Sequence, residues 1–258
     1  MIDTALLEVR GLTHAFGEHV VCKDVSFSVY PGEILAVVGE SGSGKTTLLR
    51  CLSGQLRPRT GQVLFQNRLG DIVDVWAASE SSRRMLARTD WGFVHQNPRD
   101  GLRLAVSAGA NIGERLMATG ARHYGQLRGE ADAWMRKVEL DTARMDDAPA
   151  SFSGGMQQRL QIARNLVTHP RLTFMDEPTG GLDVSVQARL LDLLRGLTVD
   201  LNLAAIIVTH DLGVARLLAQ RTLVMKAGEV VEAGLTDQVL DDPQHPYTQL
   251  LVASALIV

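Results

Sequence analysis

The sequence predicts an α/β chain: an antiparallel β segment leads into a parallel sheet with crossover helices, and a helical subdomain interrupts that sheet. Three observations predict it. Ile34–Val38 is a continuous apolar run, the pattern of a strand buried on both faces, and it ends in a Gly/Ser-rich loop that opens a helix from about Thr46. Short apolar runs at 172–175, 203–208 and 223–225 are separated by helical stretches, as in a parallel sheet with crossover helices. Between Gln96 and about His169 there is no β-rich run, only helical pattern. At 258 residues the chain exceeds the ~100–150 of a common single domain and has room for an insertion.

Each element follows from its local pattern. Residues 6–9 and 25–29 read as strands, the second alternating Val25, Phe27 and Val29 inward with Ser26 and Ser28 outward, and Pro31-Gly32 turns the chain. Residues 112–119 and 129–138 read as helices of the insertion. Its last helix starts after Ser153-Gly154-Gly155 and sets Met156, Leu160, Ala163 and Val167 on one face, with Gln157, Gln158, Arg159 and Arg164 pointing elsewhere. Residues 246–258 read as a terminal amphipathic helix. No linker composition occurs, so the expectation is one unit over 1–258, with an α/β core at 1–95 and 170–258 and a helical subdomain at 96–169.

Composition excludes several classes. The chain carries 26 basic and 29 acidic residues, a net charge of −3, which argues against binding nucleic acid through bulk positive charge. Aromatics are only 5%, which argues against base-stacking platforms. No window approaches the ~20 apolar residues that span a bilayer, and the start lacks a basic stretch followed by an apolar one, so a cytoplasmic chain without direct membrane insertion is expected. Cys22 and Cys51 have no metal or redox spacing and read as free buried thiols. Of the basic residues only Lys23, Lys45, Lys137 and Lys226 are lysines.

That scarcity gives weight to Gly39-Glu40-Ser41-Gly42-Ser43-Gly44-Lys45-Thr46, which matches the phosphate-loop pattern G-x-x-x-x-G-K-[ST] between a buried strand and a helix. At this chain's own frequencies about 0.004 chance matches are expected. Glycines let backbone N–H groups curl around phosphates, Lys45 brings a point charge to the β and γ phosphates, and the Thr46 hydroxyl can ligate Mg²⁺. Thr47 follows on the same helix start. A second piece is the apolar run that ends in Asp176-Glu177: in phosphate-loop enzymes the neighbouring strand presents an Asp to Mg²⁺, here Asp176, and a following Glu can take a proton from attacking water, here Glu177. The alternative is that both cap the turn before Pro178-Thr179-Gly180-Gly181.

With these residues in hand, the chain resembles an ATP-binding cassette (ABC) ATPase of the P-loop NTPase fold. The resemblance implies that Phe16 is the aromatic stacked on adenine and Gln96 the Q-loop glutamine, also a Mg²⁺ ligand. It further implies that Ser153-Gly154-Gly155-Met156-Gln157 is the signature, Asp183 the D-loop aspartate and His210 the switch histidine. Each has another reading: Phe16 as core packing, Gln96 as an ordinary polar residue at a strand end, His210 as a hydrogen-bonded structural group, Ser153 as a helix N-cap. The resemblance also implies a head-to-tail dimer, with itself or a paralogue, in which one protomer's signature closes on the ATP and Mg²⁺ held by the other. Met156 stands where a glutamine is usual and Gly180-Gly181 where a bulkier pair is common; neither change removes a phosphate ligand.

The tail Pro243-Gln244-His245-Pro246-Tyr247-Thr248 and Met156 resemble the branch that powers dipeptide, oligopeptide and nickel importers. Residues 152–197 and 111–124, with Asp100-Gly101-Leu102-Arg103, are similar to the ATP-binding subunits of bacterial carbon–phosphorus lyase systems. That likeness implies a role in phosphonate use with a soluble lyase core as partner; the helical insertion after Gln96 is the expected docking surface, since a partner there would feel γ-phosphate through Gln96. Importer service is the alternative; a vestigial ATPase is opposed by the intact Lys45, Thr46, Asp176, Glu177 and His210.

Overall fold

The computed structural model describes residues 4–255. The chain opens with two long antiparallel strands, β1 (Leu7–Phe16) and β2 (His19–Val29), paired from Leu7↔Val29 to Phe16↔His19. Both outrun the apolar stretches at 6–9 and 25–29, because the ladder continues through polar residues around a tight turn at Gly17. β3 (Ile34–Val38) follows with all five residues buried, then α1 (Lys45–Leu52). β4 (Thr60–Gln66) and β5 (Ile72–Asp74) complete a four-stranded antiparallel sheet in the order β2-β1-β4-β5, and α2 (Glu80–Thr89) leads to β6 (Trp91–Val94).

From Pro98 to Leu166 the helices are α3 (Pro98–Gly101), α4 (Ala108–Ala118), α5 (Tyr124–Lys137) and α6 (Gly154–Leu166). β7 (Leu172–Asp176), α7 (Val184–Asp200), β8 (Ala204–Thr209), α8 (Leu212–Leu218) and β9 (Arg221–Lys226) then alternate. β10 (Glu229–Leu235) returns antiparallel to β9, and α9 (Thr236–Asp241) and α10 (Pro246–Ala255) close the described chain. The terminal helix read at 246–258 is present to Ala255; its last three residues lie outside the described residues.

The second sheet runs β10-β9-β3-β8-β7-β6, with β9, β3, β8, β7 and β6 mutually parallel. The pleat of β3 divides the core: Ile34, Ala36 and Val38 pack with the helices of one face, Leu35 and Val37 with α1 and the antiparallel sheet on the other. Each fully buried Leu or Val contributes on the order of 1.5–3 kcal/mol, so this two-sided burial is what holds β3 at the centre. Because the strands are parallel, their carboxyl ends lie along one edge. Val38 pairs with Thr209, Asp176 with Val208, and Val94 with Met175, so the residues just beyond each strand emerge side by side.

One face assignment needs correction. Met156, Leu160, Ala163 and Val167 do pack inward on α6, but Gln157 and Gln158 are buried as well, joined by Gln161. Their amides bridge separate segments: Gln157 Nε2 donates to Pro149 O at 2.8 Å, Gln158 Nε2 to Pro178 O at 2.8 Å, and Gln161 Oε1 accepts His95 N–H at 2.7 Å. A polar side chain satisfied by backbone is buried without penalty, and apolar periodicity cannot see it. Cys22 and Cys51 are free and buried, and burial pushes both thiols up to about 12.

Candidate active site

A cavity of about 420 Å³ opens at the carboxyl edge of the parallel sheet, lined by Val21, Ser41, Gly42, Gly44, Lys45, Thr46, Thr47, Gln96, Glu177 and His210. Its floor is the loop between β3 and α1. Gly44 has φ +102 and a Cβ there would stand 2.2 Å from Val21 O; at Gly39 it would stand 2.2 Å from Met225 O. The loop is therefore pressed between β2 and the β9–β10 turn, and only glycine permits both contacts. Gly228 N–H donates to Ser43 O at 3.0 Å and locks the far side.

Lys45 is 5% exposed, and its ammonium donates to Gly39 O and Glu40 O, both at 2.8 Å. Burial lowers its pKa, while Glu177, Asp176 and Glu40 pull the other way. An ammonium held by two carbonyls and, at 3.5 Å, the Ser43 hydroxyl, with no carboxylate bonded to it, fits a polyanion under the N-terminus of α1. Thr46 Oγ1 donates to Asp176 Oδ1 at 2.8 Å at the end of β7. Burial raises the Asp176 carboxyl; the Thr46 hydrogen bond opposes that rise and Glu177 adds to it. Among the described residues no group of three His, Cys, Asp or Glu could hold a metal alone. One carboxylate beside one hydroxyl fits Mg²⁺, which keeps waters and takes substrate phosphates as its other ligands.

Glu177 sits one residue past β7 with φ +44, an uncommon conformation for a residue with a Cβ, and its N–H donates to Val208 O at 2.8 Å. That conformation turns the carboxylate back into the cavity, where Gln96 Nε2 donates to Oε2 at 2.8 Å and His210 Nδ1 lies 3.1 Å from Oε1. A carboxylate steadied from both sides at a phosphate cavity is placed to accept a proton.

Of the residues singled out from sequence, Gly39, Ser41, Gly42, Ser43, Gly44, Lys45, Thr46, Thr47, Gln96, Asp176, Glu177 and His210 come together at this one edge. The remaining ones do not. Phe16 is 55% exposed, lies edge-on to His14 and does not line the cavity. Ser153 caps α6, its Oγ accepting Met156 N–H at 3.4 Å; Ser153, Gly154 and Asp183 are exposed and do not line the cavity. Gly155 is packed so closely that a Cβ would stand 2.5 Å from Val186 Cγ1. Sequence reasoning missed Val21, which carries no motif, and Tyr247, whose hydroxyl accepts Glu40 N–H at 3.0 Å.

A family model described as ABC transporter matches residues 22–180. The chain is 67% identical, over 99% of both chains, to a protein of Escherichia coli K12 described as a phosphonates utilization ATP-binding protein, PhnK. It is 37% identical to the oligopeptide transport ATP-binding protein OppD of Bacillus subtilis, over 97% of this chain and 72% of that protein. Among solved structures, a dimeric post-hydrolysis state of the ATP-binding cassette MJ0796 bound to ADP and phosphate superposes with a TM-score of 0.80 at 28% identity, covering 89% of this chain and 98% of that one. The phosphate loop, the paired carboxylates and these likenesses agree: the chain belongs to the ABC transporter family, as an ATP-hydrolysing cassette.

Proposed function

We propose that this chain binds ATP and Mg²⁺ in the 420 Å³ cavity and hydrolyses the nucleotide to drive a conformational change in a phosphonate-utilising carbon–phosphorus lyase complex. The observation that carries the hydrolytic part is Glu177, held between Gln96 and His210 across the cavity from Lys45. The loop N–H groups and the Lys45 ammonium bind the β and γ phosphates. Glu177 accepts a proton from water as the water oxygen bonds to the γ phosphorus and the bond to the β–γ bridging oxygen breaks, leaving ADP and phosphate. His210 and Gln96 orient that carboxylate. Thr46, Asp176 and Gln96 would hold Mg²⁺, which when bound neutralises phosphate charge.

Within one protomer the exposed Ser153-Gly154 start of α6 lies apart from the cavity, so a second protomer is needed to bring this anion-binding end onto the γ phosphate. The dimer of the MJ0796 cassette supports such a pairing. Asp183 and Val184, both exposed at the start of α7, lie between Leu182 and Val186, which pack against Gly154 and Gly155, and contribute to the seam. Phe16, exposed beyond the cavity rim, is free to stack on adenine.

The phosphonate assignment is supported by the 67% identity to PhnK. Affinity purification of the tagged chain with and without ATP tests it: recovery of soluble lyase subunits is expected. Recovery only with integral membrane permease subunits would overturn the assignment in favour of an importer, the reading that the OppD likeness favours. Among the described residues no helix is long and apolar enough to cross a membrane.

A further inference from the structure

The tail motif Pro243-Gln244-His245-Pro246-Tyr247-Thr248 takes no part in hydrolysis, yet it is built against the phosphate loop. Glu232 on β10 anchors it, Oε1 accepting Gln244 N–H at 2.8 Å and Oε2 accepting His245 N–H at 3.0 Å. His245 Nδ1 accepts Tyr247 N–H at 3.1 Å and fixes the start of α10. The Tyr247 ring is buried, with Lys226 Nζ 4.8 Å from its centroid, and its hydroxyl accepts Glu40 N–H at 3.0 Å.

That N–H belongs to the same planar peptide unit as Gly39 C=O. In a trans peptide the two groups point in opposite directions, so holding Glu40 N–H outward aims Gly39 O inward, where it receives the Lys45 ammonium at 2.8 Å. Gly39, at φ +151, is followed by a peptide that glycine leaves free to rotate unless something restrains it. We propose that Tyr247 is a positioning residue of the phosphate loop: its hydroxyl fixes the Gly39–Glu40 peptide, sets the Lys45 ammonium, and makes α10 a determinant of ATP affinity.

The inference rests on the ATP site proposed above. Tyr247→Phe removes the hydroxyl alone and keeps the ring in place; Glu40 is exposed, so water can take up its N–H and the fold is expected to persist. Amide exchange followed by NMR without nucleotide is expected to be faster at Glu40 in the variant, with the thermal midpoint close to wild type. The Kd for ATP is expected to rise about 3–10-fold, the size of one lost hydrogen bond. Faster exchange at Glu40 together with weaker ATP binding supports the inference. Unchanged exchange at Glu40, or an unchanged Kd in a variant that exchanges faster, overturns it while leaving the ATP site intact. A wild-type chain that binds no ATP overturns both.

Discussion

Lys45 and Asp176 are both buried in charged forms that burial disfavours, one shifted down and the other up. A carboxyl whose folded pKa lies above its unfolded value binds more protons in the native state. Its stabilising effect is therefore full below the ordinary Asp value and is lost as pH rises through the folded one. Asp176→Asn should accordingly raise the thermal midpoint of the nucleotide-free protein at neutral pH, and the advantage should shrink as pH falls toward 3.8. Thermal melts of both forms across that range, without nucleotide, check the sign. With Asp176 the proposed Mg²⁺ ligand, the same variant should gain less stabilisation from added Mg²⁺ and ATP than the wild type does. Glu177→Gln should retain ATP binding and lower turnover by about 10²–10⁴-fold, measured as phosphate release. These residues were readable in sequence because each lies in a short motif. Tyr247 lies in a motif too, but its tie to the phosphate loop was not readable, because that contact depends on where a tail folds 207 residues after Glu40.

At the scale of elements, the phosphate loop is held by backbone approaches that a methyl group would block. Gly44→Ala should impair ATP binding and lower the melting temperature, because the new Cβ would meet Val21 O and the residue would keep a positive φ. Calorimetric ATP titration beside a melt separates the two effects. In the helical segment, fully buried Asn111 fastens α4 to the preceding loop. Its Nδ2 donates to Arg103 O, Val106 O and Ser107 O, all at 3.0 Å, and its Oδ1 accepts Arg103 N–H at 2.8 Å. Asn111→Ala should cost about 1–3 kcal/mol in all, since these contacts are part-buried and Ser107 O keeps the backbone N–H of residue 111, measured by urea unfolding. Apolar runs located β3, β7, β8 and β9 to within two residues at either end. The same reasoning left out β4, β5, α2 and β10, whose exposed and polar positions dilute periodicity, and shortened β1 and β2, whose turn-proximal stretches are held by the ladder and interrupted by polar and glycine residues.

For the whole molecule, the cavity and the exposed start of α6 lie on different parts of one chain, so hydrolysis should depend on protomer meeting protomer. Specific ATPase activity is expected to rise with protein concentration, and the Glu177→Gln variant to accumulate as a dimer with ATP, followed by light scattering. Activity independent of concentration from a protein monomeric at every ATP level would refute this. The order of motifs along the chain announced the site's parts. It could not announce that parallel register sets Lys45, Asp176, Glu177, Gln96 and His210 along one edge, which is a property of pairing between strands.

The glutamines of α6 carry a mechanical consequence. Gln158 grips Pro178, next to Glu177, and Gln161 grips His95, next to Gln96, so the helix that begins at Ser153 is tied to both sides of the hydrolytic centre by neutral amides. Rupturing a buried ion pair strands a charge and costs several kcal/mol, whereas an amide-to-carbonyl contact exchanges for another at a net ~1 kcal/mol. Any rotation of the helical segment would therefore reach the Glu177 carboxylate through contacts that exchange one at a time, with no buried charge stranded on the way.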